Sequence, residues 1–195
     1  MNRIHLLVIL LLAVVAIPFA AADTIQLTFN GANIATVSLT AVSGGVKVSI
    51  TADPGYSIKT QGGDILFNTG VVTLNSSSIS SLTVDGFTPA YKFDTNQTRA
   101  GVTFAYDLTN FNKGNLPNGY TSAFNVSFIV SGVSVADLKN GWSIHFCTGH
   151  TTNCGQPTNF TNGAGQLTVP EPGTLSLLGT GLFGIAGFMR RRFLS

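Results

Sequence analysis

The chain has 195 residues, with 10 Lys or Arg against 8 Asp or Glu, a formal net charge of +2. Charged residues make up only 9%, where an ordinary soluble domain carries about 25%. This excludes a strongly basic nucleic-acid binder, which needs a clustered Lys/Arg face, while 14 Phe and 44% hydrophobic residues exclude a charged, aromatic-poor disordered chain.

Residues 1–22 read as a secretory signal peptide. Met1-Asn2-Arg3 is a short basic start, and Leu6 to Phe19 is an unbroken apolar run. Ala20 and Ala22 stand at the −3 and −1 positions if cleavage precedes Asp23. This three-part pattern engages an export machinery, here the Sec translocon and signal peptidase. The run of 14 residues is short of the ~20 that a membrane anchor needs.

Residues 23–168 form the mature domain. Its six basic and seven acidic residues leave a net charge of −1. Thr, Ser, Asn and Gly supply 66 of its 146 residues and take the place of charge. The hydrophobic period is two. In Thr24 to Asn30, the residues Ile25, Leu27 and Phe29 share one face, and Ile34–Thr40 and Val46–Thr51 repeat the pattern. Further strands are expected at Asp64–Phe67, Val71–Leu74, Ile79–Val84, Ala90–Phe93, Gly101–Leu108, Ala123–Val130, Trp142–Phe146 and Gln166–Val169. Asn30-Gly31, Ser43-Gly44-Gly45, Asp85-Gly86, Asn118-Gly119 and Asn140-Gly141 punctuate them, and Asn-Gly and Asp-Gly supply the positive φ of hairpin turns. About ten short strands spaced by such turns predict an all-β fold, a β-sandwich of immunoglobulin-like or jelly-roll type. Val133–Lys139 reads as a single helical turn with Ser134 as N-cap. Asn110–Tyr120 reads as a long loop, and Tyr91, Phe111 and Tyr120 are candidates for a sugar-contacting groove.

His145-Phe146-Cys147-Thr148-Gly149-His150 leads to Cys154 and gathers both cysteines with two of the three histidines. In an exported chain a lone cysteine pair is expected to be a disulfide. A tetrahedral zinc site fits the ligand types, but not the usual spacing of ligand pairs. A Cys–His nucleophile lacks an orienting third group. His145 falls on the polar side of the alternation, as a surface histidine would. No catalytic residues, metal site or cofactor are expected. Glu171 is the only glutamate, so a paired-carboxylate hydrolase would need two aspartates. Asp53, Asp64, Asp85 and Asp94 are explained by turn propensity.

The C-terminal segment has three parts in order. Val169-Pro170-Glu171-Pro172-Gly173 is followed by sixteen mostly apolar residues, Thr174–Met189, and then by Arg190-Arg191-Arg192 within residues 190–195. Pro172 pushes Glu171 out of the helical region, so the motif is extended. The apolar stretch would span about 24 Å as a helix, and the arginines make a cytoplasmic stop. Gly179, Gly181 and Gly184 match a dinucleotide fingerprint by letter, but no βαβ unit surrounds them. They suit close packing of a transmembrane helix.

This tail resembles the PEP-CTERM sorting signal of exported proteins in Gram-negative bacteria. The resemblance covers residues 169–195. It implies a precursor anchored in the inner membrane and an exosortase that recognises Pro170-Glu171-Pro172 and cuts nearby. It also implies a destination at the cell surface or in an extracellular, biofilm-type matrix. The expectation for the whole is a non-enzymatic exported protein with a structural or interaction role. The alternatives are a carbohydrate-binding or adhesive module acting on extracellular polysaccharide and, after that, a secreted hydrolase.

Overall fold

A computed structural model describes residues 22–168, apart from 71, 115, 118–119, 140, 155–157 and 162–165. The expected signal peptide up to residue 21, the sorting motif, the apolar C-terminal stretch and the arginine tail lie outside the described residues. Among the described residues no helix is long and apolar enough to cross a membrane.

The domain is all-β, with two antiparallel sheets. The first comprises β1 (Asp23–Phe29), β2 (Ala32–Val42), β3 (Gly45–Ala52), β6 (Ile79–Val84), β10 (Asn125–Ser131) and β13 (Gln166–Thr168), in the order β13-β1-β2-β3-β10-β6. The second comprises β4 (Tyr56–Lys59), β5 (Asp64–Phe67), β7 (Pro89–Arg99), β8 (Val102–Gly114), β9 (Ser122–Ala123) and β11 (Trp142–Thr148), in the order β7-β8-β5-β11-β4-β9. β12 (Thr158–Phe160) pairs with β11.

The period-two pattern puts one face of each sheet into a common core. Leu27, Val37, Leu39, Val48, Ile50 and Val130 come from the first sheet; Ile58, Ile65, Phe67, Leu108, Trp142 and Ile144 come from the second; all are buried. Aromatic rings join the layers. Phe67 lies 6.2 Å from Phe128 and Phe29 lies 5.4 Å from Phe146, centroid to centroid. Phe67 also stacks on Trp142 at 5.0 Å, and the indole N–H donates to Leu138 O at 2.6 Å, which satisfies the one polar atom this ring buries.

The hairpin turns fall where positive φ is available. Asn30 and Gly31 adopt φ of 50° and 80°, and Asp85 and Gly86 adopt 46° and 86°. Ala100 and Gly101 form a third pair, at 49° and 78°, without the usual Asn or Asp in first place. The expected helical turn is a 3₁₀ turn at Val135–Leu138. Asp137 holds it by accepting from the Ser134 N–H at 2.8 Å and the Ser134 hydroxyl at 2.7 Å.

Three readings of the sequence change. Val72–Leu74 is not a strand: Tyr106 donates its O–H to Val72 O at 3.2 Å and accepts from the Leu74 N–H at 3.0 Å, in place of a neighbouring strand. The first half of the expected Asn110–Tyr120 loop continues β8 to Gly114. There Asn110 takes φ 58° at an irregularity where the register against β7 shifts between Ala90 and Lys92. Such a bulge re-aims the following side chain, and Phe111 turns into the core with 0% exposure. The short strands β4 and β12 were not expected, because four and three residues are too few to show a period.

Candidate functional site

On the central strands of the second sheet the outward face is buried as well. The register sets Leu66 opposite Asp107 and Ser143 opposite Leu66, so these side chains point away from the core that holds Ile65, Leu108 and Ile144. Ser143 is covered by Thr161, whose carbonyl accepts from the serine hydroxyl at 2.8 Å and whose Oγ1 accepts from the Ile144 N–H at 3.0 Å.

Two carboxyl groups meet in this layer. Asp64 starts β5 after the Gln61-Gly62-Gly63 turn. A Cβ on Gly63 would stand 1.9 Å from Lys59 O, so only glycine lets the chain pass so close. The Gly63 carbonyl accepts from the Thr109 hydroxyl at 3.0 Å, tying the turn to β8. Asp107 sits on β8 with Asp94 of β7 directly opposite it. Asp64 and Asp107 are 6% and 1% exposed. Arg99, near the tip of the β7–β8 hairpin, reaches back over them: its Nε donates to Asp64 Oδ2 at 3.0 Å and one terminal nitrogen lies 3.9 Å from Asp107 Oδ2. Asn96, between Asp94 and Arg99 on β7, adopts φ 53°.

Asp94 is paired with Lys92 Nζ at 2.8 Å, so Arg99 alone faces the two buried carboxyl groups, Asp64 and Asp107. Among the described residues neither Asp107 oxygen meets a hydrogen-bond partner within bonding geometry. Burial, and then the neighbouring Asp64, push the Asp107 carboxyl up to about 7, against the smaller opposing pull of Arg99. Asp64, through its hydrogen bond, holds the Arg99 guanidinium above its ordinary value. His145 lies beside the same turn, stacked on Phe160 at 4.3 Å between ring centroids. Its Nδ1 is buried without a partner. Burial, and then Lys59, lower it to about 4. His145 is therefore a neutral, half-covered ring and not a free surface histidine.

The remaining candidate residues are dispersed. Cys147 and Cys154 form a disulfide, which leaves neither sulfur available as a thiolate ligand, and among the described residues no group of three or more His, Cys, Asp or Glu is placed to hold a metal. Gly149 in its loop donates to Gly55 O at 2.7 Å, and His150 stacks on Phe124 at 3.9 Å. Asp23 opens β1 and pairs with Lys139 Nζ at 2.6 Å, and Ala22 precedes it as coil. Tyr91, Phe111 and Tyr120 do not share a groove. Phe111 is in the core. The Tyr120 hydroxyl bonds to Asp85, whose carboxylate also takes the Asn125 N–H at 2.7 Å. Tyr91, with Ala90, Lys92 and Asn110, lines a small open cavity of about 180 Å³. Val169, Pro170, Glu171, Pro172 and Arg190–Arg192 lie outside the described residues.

The domain is thus an all-β, two-sheet module that ends, at β13, immediately before the Pro-Glu-Pro segment. That segment is what links the chain to known proteins: residues 168–192 match the PEP-CTERM protein-sorting motif. The chain carries this sorting signal, which implies an exported protein that is anchored in the membrane before an exosortase processes it. No curated protein and no solved structure matches the chain.

Proposed function

We propose that this chain is a non-enzymatic protein of the cell surface or extracellular matrix, delivered through the Sec translocon, signal peptidase and an exosortase, with a structural or interaction role carried by a β-sandwich of immunoglobulin-like or jelly-roll type. The observation that carries the reading is the sorting motif at residues 168–192, set directly after the last strand of a closed, disulfide-linked β domain. Burial of Asp64 and Asp107 beneath Arg99 supports a structural use of that pair. The test is fractionation of cells that express the precursor. With Pro170, Glu171 and Pro172 all replaced by alanine, or with the exosortase deleted, the protein stays in the inner membrane at precursor size. Equal surface delivery of the altered and unaltered chains refutes the reading.

A carbohydrate-binding module is the second reading. The cavity at Tyr91, Lys92 and Asn110 favours it, since an aromatic face, a cation and an amide together suit a sugar ring and its hydroxyls. Retention of the purified domain on extracellular polysaccharide, lost in Tyr91→Ala, would support it. Passage through every polysaccharide matrix without delay removes it.

A further inference from the structure

The last strand of the domain ends where the sorting motif begins. β13 covers Gln166–Thr168 and is followed at once by Val169-Pro170. It pairs antiparallel with β1, Thr168 opposite Thr24, Leu167 opposite Ile25 and Gln166 opposite Gln26. It forms the edge of its sheet. β1 is gripped on its other side by β2 along its whole length, from Asp23 to Phe29, and Asp23 is ion-paired to Lys139. Among the described residues β13 is held by three registered pairs, against seven for β1 on its other side. When this edge opens, β13 leaves and β1 stays.

A protease cleft that reads an extended peptide does so through the peptide's backbone N–H and C=O groups. Of an edge strand, the N–H and C=O groups that face β1 are committed to the ladder and are not available for that. Pro170 is two residues beyond Thr168, and two extended residues span only about 7 Å. An enzyme gripping more than two residues ahead of Pro170 therefore meets the edge of the folded sheet. We infer that β13 is a strap which must detach from β1 before the exosortase cuts, so that strand pairing sets the processing rate. The inference rests on the exosortase reading above. The covalent step is ordinary peptide-bond opening: the acyl carbon passes to water or an acceptor nucleophile, and the tail leaves with a new amino group. Residues 166–168 remain on the product and pair again with β1.

The experiment follows processing of the full-length precursor by pulse-chase in a cell that carries the exosortase. One variant inserts a six-residue Gly-Ser spacer between Thr168 and Val169. A second carries Gln166→Pro and Leu167→Pro together; because alternate residues of an edge strand donate inward, this removes at least one N–H that faces β1. A third combines both changes. Each of the first two is expected to speed processing roughly tenfold, the factor equal to about 1.4 kcal/mol and close to one net backbone hydrogen bond. The combination is expected to be no faster than the spacer alone. Equal rates for the unaltered chain and the spacer variant overturn the strap. Absence of processing in every chain, the unaltered one included, instead overturns the exosortase reading and the strap with it. The spacer leaves every domain residue in place, so its result stands whatever the prolines do to folding.

Discussion

Asp107 places a carboxyl group where a carboxylate is poorly matched, and the consequence is a pH dependence with a definite sign. Folded, it keeps its proton up to about 7; unfolded, it loses it near its ordinary 3.8. The folded state binds the extra proton, so this group's contribution to stability falls as pH rises through that window. His145 does the reverse: its proton is held to 6.5 when unfolded but only to about 4 when folded, so its contribution rises with pH. Between about 4 and 6.5 the folded chain carries the proton on Asp107 and the unfolded chain carries it on His145. The two slopes oppose each other and stability is nearly flat across that window. Urea unfolding as a function of pH checks this. Asp107→Asn should leave stability rising with pH from 4 to 6.5, and should gain on the unaltered protein as pH rises from about 4 to about 7. His145→Gln should leave it falling. A second residue-scale prediction concerns Ala100, held at φ 49° ahead of Gly101. Left-handed backbone costs a Cβ-bearing residue about 1–2 kcal/mol, and asparagine tolerates it better. Ala100→Asn should therefore raise stability by about 0.5–1 kcal/mol, read as a higher melting temperature.

At the scale of elements, the disulfide closes the loop between β11 and β12, where Cys147 is buried. Replacing both cysteines by serine should cost about 2–3 kcal/mol, from the loop entropy returned to the unfolded chain; equilibrium unfolding of the double variant measures it. Which elements could be read in advance follows from how each is stabilised. β3 alternates without interruption against the core and β1, β2 and β6 do so over most of their length, and the Asn30-Gly31 and Asp85-Gly86 turns carry their own φ preference, so sequence suffices for them. β4 and β12 exist because β11 offers them an edge, information that lies outside their own residues. Phe111 was legible as aromatic but not as buried, because the bulge at Asn110 resets the phase of β8. The Asp64–Asp107–Arg99 cluster was hidden for a related reason. Alternation puts Asp107 on an outward face, and only tertiary covering makes that face an interior.

For the whole molecule, the proposed function separates the sequence into delivery signals and cargo. Arg3, Arg190, Arg191 and Arg192 are four of the ten basic residues, and all lie outside the 23–168 domain, whose own net charge is −1. The +2 of the chain therefore describes its route and not its surface. The sorting motif was readable because it is carried by a contiguous run of residues, which needs no fold around it to be recognised. A ligand for the domain was not readable, because the neutral Thr, Ser, Asn and Gly surface that replaces charge carries no motif. The central claim is that residues outside the β domain are removed after directing it outward. Intact-mass measurement of the protein recovered from the cell surface or medium, taken with and without reduction, tests this most directly. The account predicts a species that begins at Asp23, ends near Pro172, and gains two mass units on reduction as the Cys147–Cys154 bond opens. A surface species that still carries Arg190–Arg192 would contradict it.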